Sequence, residues 1–247
     1  MNRRINSLLS RLVQSEGQAP SADAPLGGEG SQVGQFKNPR GVAVDAAGHL
    51  SVADEGNHRI QKFNPAGECI AQWGGFGIAF GEFKFPQGLA VDAAGHVYVA
   101  DSRNHRVQKF TSDGKFITLW GSVGDGDEQF NQPCDVAVDP EGHVYVVEAL
   151  NHRVQKFDPE GRFLAKWGEF GAEAGQFKFP QGVAVNAKGR VYVADEGNHR
   201  IQKFSAEGEC IARAQLAALS TGSARPDQDH RRDEQESRGD PRPPADP

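Results

Sequence analysis

The string Asn-His-Arg-(Ile/Val)-Gln-Lys-Phe occurs four times, beginning at Asn57, Asn104, Asn151 and Asn198, always 47 residues apart. Its residue types could do chemistry. Each copy offers a histidine (His58, His105, His152, His199), an arginine beside it, and a carboxylate three residues before the Asn (Asp54, Asp101, Glu148, Asp195). Imidazole and carboxylate are the donors of a zinc centre or an acid–base pair. A second set, His49, His96 and His143, opens an apolar run in three copies, with Arg190 in its place in the fourth. Zinc, however, needs its ligands about 2.0–2.1 Å from one point. Groups that recur at a fixed step sit one per repeat, at equal radius, and do not converge. Both sets therefore read as structural. Asn and Asp side chains bond backbone groups in turns, and Arg59, Arg106, Arg153 and Arg200 can each pair with a nearby carboxylate.

Other clusters offer little chemistry. The acidic loop Asp125-Gly126-Asp127-Glu128 could hold calcium, but it lacks the ordered carboxylate spacing of an EF-hand and reads as a solvated loop. Three cysteines, Cys69, Cys134 and Cys210, make neither a disulfide framework nor a paired metal motif. They suit a reducing compartment, so a cytoplasmic protein is expected. The net charge of −6 gives the whole chain no bias toward nucleic acid. No apolar run approaches the roughly 18 residues of a membrane helix. Neither an apolar core nor a cleavage site follows Arg3 and Arg4, so no signal peptide is expected.

The elements that must carry these residues follow from the same period, because self-similarity at this length signals a repeat architecture. Pro39, Pro86, Pro133 and Pro180 mark equivalent points, and the repeats start near them. Each Pro leads into four short runs rich in Val, Ile, Tyr and Phe, separated by turn residues; Val97–Asp101, Arg106–Phe110 and Lys115–Trp120 are the clearest. Such runs read as strands, four per repeat. Strand side chains alternate between faces, and both faces are apolar here: Val97 and Val99 against Tyr98 and Ala100. A blade between two blades meets that demand, so the fold expected is all-β, a β-propeller of four-stranded antiparallel blades over residues 31–214. Upstream, Ile5, Leu8, Leu9, Leu12 and Val13 predict a short amphipathic helix over 1–14, read as docking on its own domain in preference to a partner or a membrane surface. Residues 15–30 read as linker. Residues 215–247, poor in apolar types, read as a disordered tail.

The full repeat, Pro-x-Gly-Val-Ala-Val-Asp through Val-Tyr-Val-Ala-Asp and Asn-His-Arg-Val-Gln-Lys-Phe to Trp-Gly, closely resembles the NHL repeat. That resemblance covers about residues 34–213 and implies a propeller, usually of six blades. Four repeats are thus partial or open relative to six. The fourth departs further: Trp73, Trp120 and Trp167 predict a Trp at position 214, where Ala stands. A truncated or frame-shifted array is the expectation drawn from this, with end blades free to self-associate. The tryptophans, and Phe36, Phe83, Phe130 and Phe177, are expected to fill space between blades.

Function is sought where the copies disagree, since folding alone would permit uniform residues. On the face carrying the turns between second and third strands, Arg103, Cys134, Asp135, Glu148 and Leu150 break the pattern and are the candidate binding residues. The resemblance implies a non-catalytic module that binds a protein or peptide, or acts as a scaffold. An RNA-binding propeller is the less favoured relative, since the loop positions are mixed or acidic. A metal-dependent lyase resembling the peptide-amidating propellers would need histidines converging on the central channel. No enzyme activity, cofactor or metal is expected. A partial array with little function is the remaining alternative.

Overall fold

The computed structural model describes residues 26–211. The helix expected over 1–14, the start of the linker and the tail expected over 215–247 lie outside the described residues. Repetition in the sequence becomes repetition in space. The first blade is β1 (Pro39–Val44), β2 (Leu50–Asp54), β3 (Arg59–Phe63) and β4 (Cys69–Gly74). The second is β5 (Pro86–Val91), β6 (Val97–Asp101), β7 (Arg106–Phe110) and β8 (Phe116–Trp120). A two-residue parallel pair, β9 (Ser122–Val123) and β10 (Gln129–Phe130), ties the loop into the third blade, and single bridges do so at the equivalent loops. The third blade is β11 (Pro133–Val138), β12 (Val144–Glu148), β13 (Arg153–Phe157) and β14 (Phe163–Trp167). The fourth is β15 (Pro180–Val185), β16 (Val191–Asp195) and β17 (Arg200–Phe204). Strands within each blade are ordered as in the chain and are antiparallel.

The fourth blade differs from the four-stranded expectation. Its fourth strand is represented only by the bridge between Phe204 and Cys210, at the point where the repeated sequence gives way. The first strands follow one another as neighbours, β1 to β5 to β11 to β15, the order of a propeller.

Each interface between blades is a cluster of buried apolar side chains drawn from both sides. Between the first two, Ala53, Ile60 and Trp73 meet Phe83, Leu89, Val97, Val99 and Phe110. The next two interfaces repeat the pattern around Trp120 with Phe157 and Trp167 with Phe204. The tryptophans fill space between blades, as expected. Each lies against a glycine in the next blade's last turn. At Gly114, φ is +85° and an added Cβ would stand 2.6 Å from the Trp73 ring, so glycine is required there both by conformation and by space.

Candidate functional site

Antiparallel order puts the loops between blades on the same face as the turns between second and third strands. The repeated signature builds that face from below. Asp101, fully buried, accepts from the Arg106 Nε at 2.7 Å, Asn104 Nδ2 at 2.8 Å, the Lys84 backbone N–H at 2.7 Å and Gln108 Nε2 at 3.2 Å. Four donors on one buried carboxylate supply the pairing that an ionised group needs away from water. The remaining donors reach outward. Arg106 donates to the carbonyls of Ile78, Ala79 and Glu82, Asn104 to Gly77, and Gln108 to Glu82. The loop entering a blade is thus fastened to that blade's own signature. Asp54, Glu148 and Asp195 centre the same arrangement in the other blades.

The signature histidines do a second job. His58, His105, His152 and His199 all adopt left-handed backbone, with φ between 53° and 55°. In the first three blades the ring Nδ1 accepts a backbone N–H from the next repeat: Phe85 onto His58 at 3.1 Å, Gln132 onto His105 at 3.3 Å, Phe179 onto His152 at 3.1 Å. Burial holds the His58 and His152 imidazoles below the usual histidine range. These rings are joints between blades. The other histidine set closes turns on the opposite face, where His49, His96 and His143 bond Asp45, Asp92 and Asp139 at 2.9–3.0 Å. Around His143, Glu141 is also close enough to share an ion. The same His–Asp turn without a third donor occurs in the two preceding blades, so the pairing is explained by the turn.

What the signature presents to solvent is apolar. Phe76, Ile78 and Phe80 from the loop between the first two blades are largely exposed, as are Val123 and Phe170 in the next loops, with Phe85 and Phe179 partly so. Phe80 stacks on Phe116 with ring centres 4.9 Å apart, and Phe76 and Phe85 flank the His58 ring at 5.0 and 4.6 Å. Lys84 lies over Phe76. Because Arg106 and Gln108 hold the backbone beneath, these side chains are displayed from a fixed loop. The acidic loop at Asp125–Glu128 shares the face. It is anchored by Arg153 through the Asp125 and Gly126 carbonyls, and Asp127 pairs with Lys166 at 2.7 Å.

Only some of the residues expected from sequence lie on this surface. Arg103 and Leu150 are exposed on the loop face. Glu148 is not available to a ligand: it is fully buried and does for the third blade what Asp101 does for the second, its longer side chain reaching Arg153 at 2.6 Å. Cys134 is likewise buried, its thiol donating to the carbonyls of Val147 and Pro180, and burial pushes its pKa up. Asp135 lies on a first strand and spans two blades, accepting the Val136 and Val183 N–H groups. Sequence reasoning passed over the loop aromatics. Their signal was the same disagreement between copies: Phe76, Ile78 and Phe80 stand where the first repeat has Glu29, Ser31 and Val33.

Comparison with known proteins agrees with this architecture. The NHL repeat family matches residues 36–63, 83–110, 130–157 and 177–204, one match per blade. The E3 ubiquitin-protein ligase TRIM71 of Xenopus tropicalis is 48% identical over 42 residues, 17% of this chain and 5% of that protein. Protein wech of Drosophila melanogaster is 49% identical over 39 residues, again 5% of its length. The chain therefore matches a small part of these relatives. Among solved structures, a streptogramin B lyase superposes with a TM-score of 0.55 at 13% identity, covering 70% of this chain and 53% of that one. A nidogen/laminin complex gives 0.55 at 18%, with 72% and 63% covered. At such identities the likeness is one of fold. Among the described residues, no helix is long and apolar enough to cross a membrane.

Proposed function

We propose that this chain, a protein built of NHL repeats, is a non-catalytic binding module whose loop face takes a protein or peptide partner. The observation that carries this reading is the pairs of exposed aromatics on that face, Phe76 and Phe85 about His58 and Phe170 and Phe179 about His152, on loops fastened by buried Asp–Arg pairs. Apolar side chains displayed from a rigid frame lose little freedom on binding, which is how recognition surfaces keep affinity. The charged groups around them are of both signs and lean acidic: Glu55, Asp125, Asp127, Glu169 and Glu196 against Lys84, Arg103 and Lys178. That suits a peptide with apolar and basic side chains better than a polyanion.

Three of the four signature histidines, His58, His105 and His152, are taken up as joints between blades, which supports a module without catalysis. The three free cysteines suit work in the cytoplasm. Panning a displayed peptide library against the full chain tests the proposal. Selected peptides should share apolar anchors, and Phe76→Ser, at a largely exposed position on that face, should weaken them at least tenfold while leaving the thermal midpoint in place. Tight, salt-sensitive binding of single-stranded RNA, with no peptide enriched, would favour the nucleic-acid reading instead.

A further inference from the structure

The three interfaces between blades are one interface used three times, and the two outermost blade faces are its separate halves. On the fourth blade, Ile201 is 66% exposed, whereas its equivalents Ile60, Val107 and Val154 are fully buried. Tyr192 and Ala194 flank it, where Tyr98 and Ala100 of the second blade are covered. On the first blade, Val42 and Val44 are 39% and 41% exposed, while Leu89, Val136 and Val183, which share the position of Val42, are at most 8% exposed. Leu26 covers part of that face. It lies over Gly67 as Trp73 lies over Gly114, and it is the residue in register with the tryptophans. The fourth repeat, for its part, has Ala at position 214 instead of Trp.

Polar groups at the two ends match as well. Within the chain, the residue before each blade's first proline donates its N–H to the histidine of the preceding blade, as Phe85 does to His58. Asn38 holds the same left-handed conformation, φ 50°, and among the described residues its N–H has no acceptor. His199 is exposed, and among the described residues its ring has no donor. Gln87 bonds Glu55 across the first interface at 3.1 Å. The residues in those registers at the ends are Arg40, which lies 3.6 Å from Glu55 of its own blade, and Glu196; they carry opposite charges. Lys62 reaches the Ser112 carbonyl across the same interface, and Lys203 and Pro65 are their counterparts at the ends. Glu196, His199 and Ile201 border a hollow of about 440 Å³, at the position filled in the other blades by the incoming loop.

We infer that the fourth-blade face binds the first-blade face of a second copy, head to tail, continuing the array across the chain boundary. Ile201 enters beside Val42 and Val44, Asn38 donates to the second copy's His199, and Arg40 pairs with its Glu196. Such a contact is heterologous: two copies close a ring if the rotation permits, and longer assemblies form if it does not. A closed pair holds eight blades, within the range propellers adopt.

Sedimentation velocity of the full chain over a hundredfold range of concentration tests this. The wild type should sediment as a dimer or larger, and Ile201→Glu, a change at an exposed position, should return it to monomer with its circular dichroism unchanged. Arg40→Glu alone and Glu196→Arg alone should each weaken association at least tenfold. Mixing these two variants should restore it, because every contact between unlike variants then pairs opposite charges. A wild type that is monomeric throughout, association indifferent to Ile201→Glu, or variants that stay apart on mixing would each overturn the inference.

Discussion

The Nδ1 of His58 accepts the backbone N–H of Phe85 at 3.1 Å, joining the first blade to the loop that opens the second. An imidazole can accept at Nδ1 only when that nitrogen carries no proton. His152 does the same with Phe179. Two joints of the array are therefore written in a group that titrates near neutral pH.

Stability should consequently fall on mild acidification. Burial lowers the folded pKa of His58 and His152 below the ordinary histidine value of about 6.5. A base with a lowered folded pKa binds more protons when unfolded, so stability rises with pH in this window. The contribution is complete above about pH 6.5 and is lost as pH falls through the folded pKa values. Thermal midpoints between pH 8 and pH 5 should show this decline, and His58→Gln with His152→Gln should flatten it. A wild-type midpoint that stays level over that range would count against the joints.

Truncating a tryptophan should empty an interface. Trp120 packs between Gly161 and the ring of Phe157, 5.8 Å away, and is nearly buried. Trp120→Ala should cost about 3–5 kcal/mol, the range for removing a large buried aromatic. Chemical denaturation would measure it. An unchanged midpoint would mean that the ring supports no packing.

Releasing the loop anchor should loosen the aromatic display. Arg106 joins buried Asp101 to three carbonyls of the loop that carries Phe76, Ile78 and Phe80. Arg106→Ala leaves Asp101 without its charged partner, a loss of about 3–5 kcal/mol. Amide exchange should quicken across residues 75–85 before it does elsewhere. Arg103→Ala, at an exposed position three residues earlier, should change neither quantity, and equal effects of the two would remove the special role given to the anchor.

These positions also show what could be read without coordinates. The 47-residue step dictated the architecture, because strands apolar on both faces must be covered on both faces, as Val97 and Tyr98 are. The turn chemistry of Asp101, Asn104 and Arg106 was legible from residue type and spacing. Glu148 misled because a departure from the repeat was read as exposure, when one methylene more serves the same buried bonds. The aromatics of the loops were missed through attention to the turn residues: Phe76 and Phe80 lie in a glycine-rich stretch whose fixed shape depends on hydrogen bonds from residues 27 positions later. Period and propensity do not express that long-range anchoring.

Asp135 supplies the last prediction. It replaces the glycine found at Gly41, Gly88 and Gly182, and its carboxylate bridges the Val136 N–H at 2.9 Å and the Val183 N–H of the next blade at 3.0 Å. Burial raises its pKa to about 7, against the opposing pull of those two bonds. An acid with a raised folded pKa keeps its proton in the folded state while the unfolded chain has released it. Its contribution to stability is therefore full below about pH 3.8 and is lost as pH rises through 7, opposite in direction to that of the histidines. Asp135→Asn cannot ionise, so its midpoint relative to wild type should climb between pH 6 and pH 8.5. Paired thermal melts of the two proteins isolate this difference, since all other titrating groups are common to both. A constant offset across that interval would show that the carboxylate stays charged between the blades.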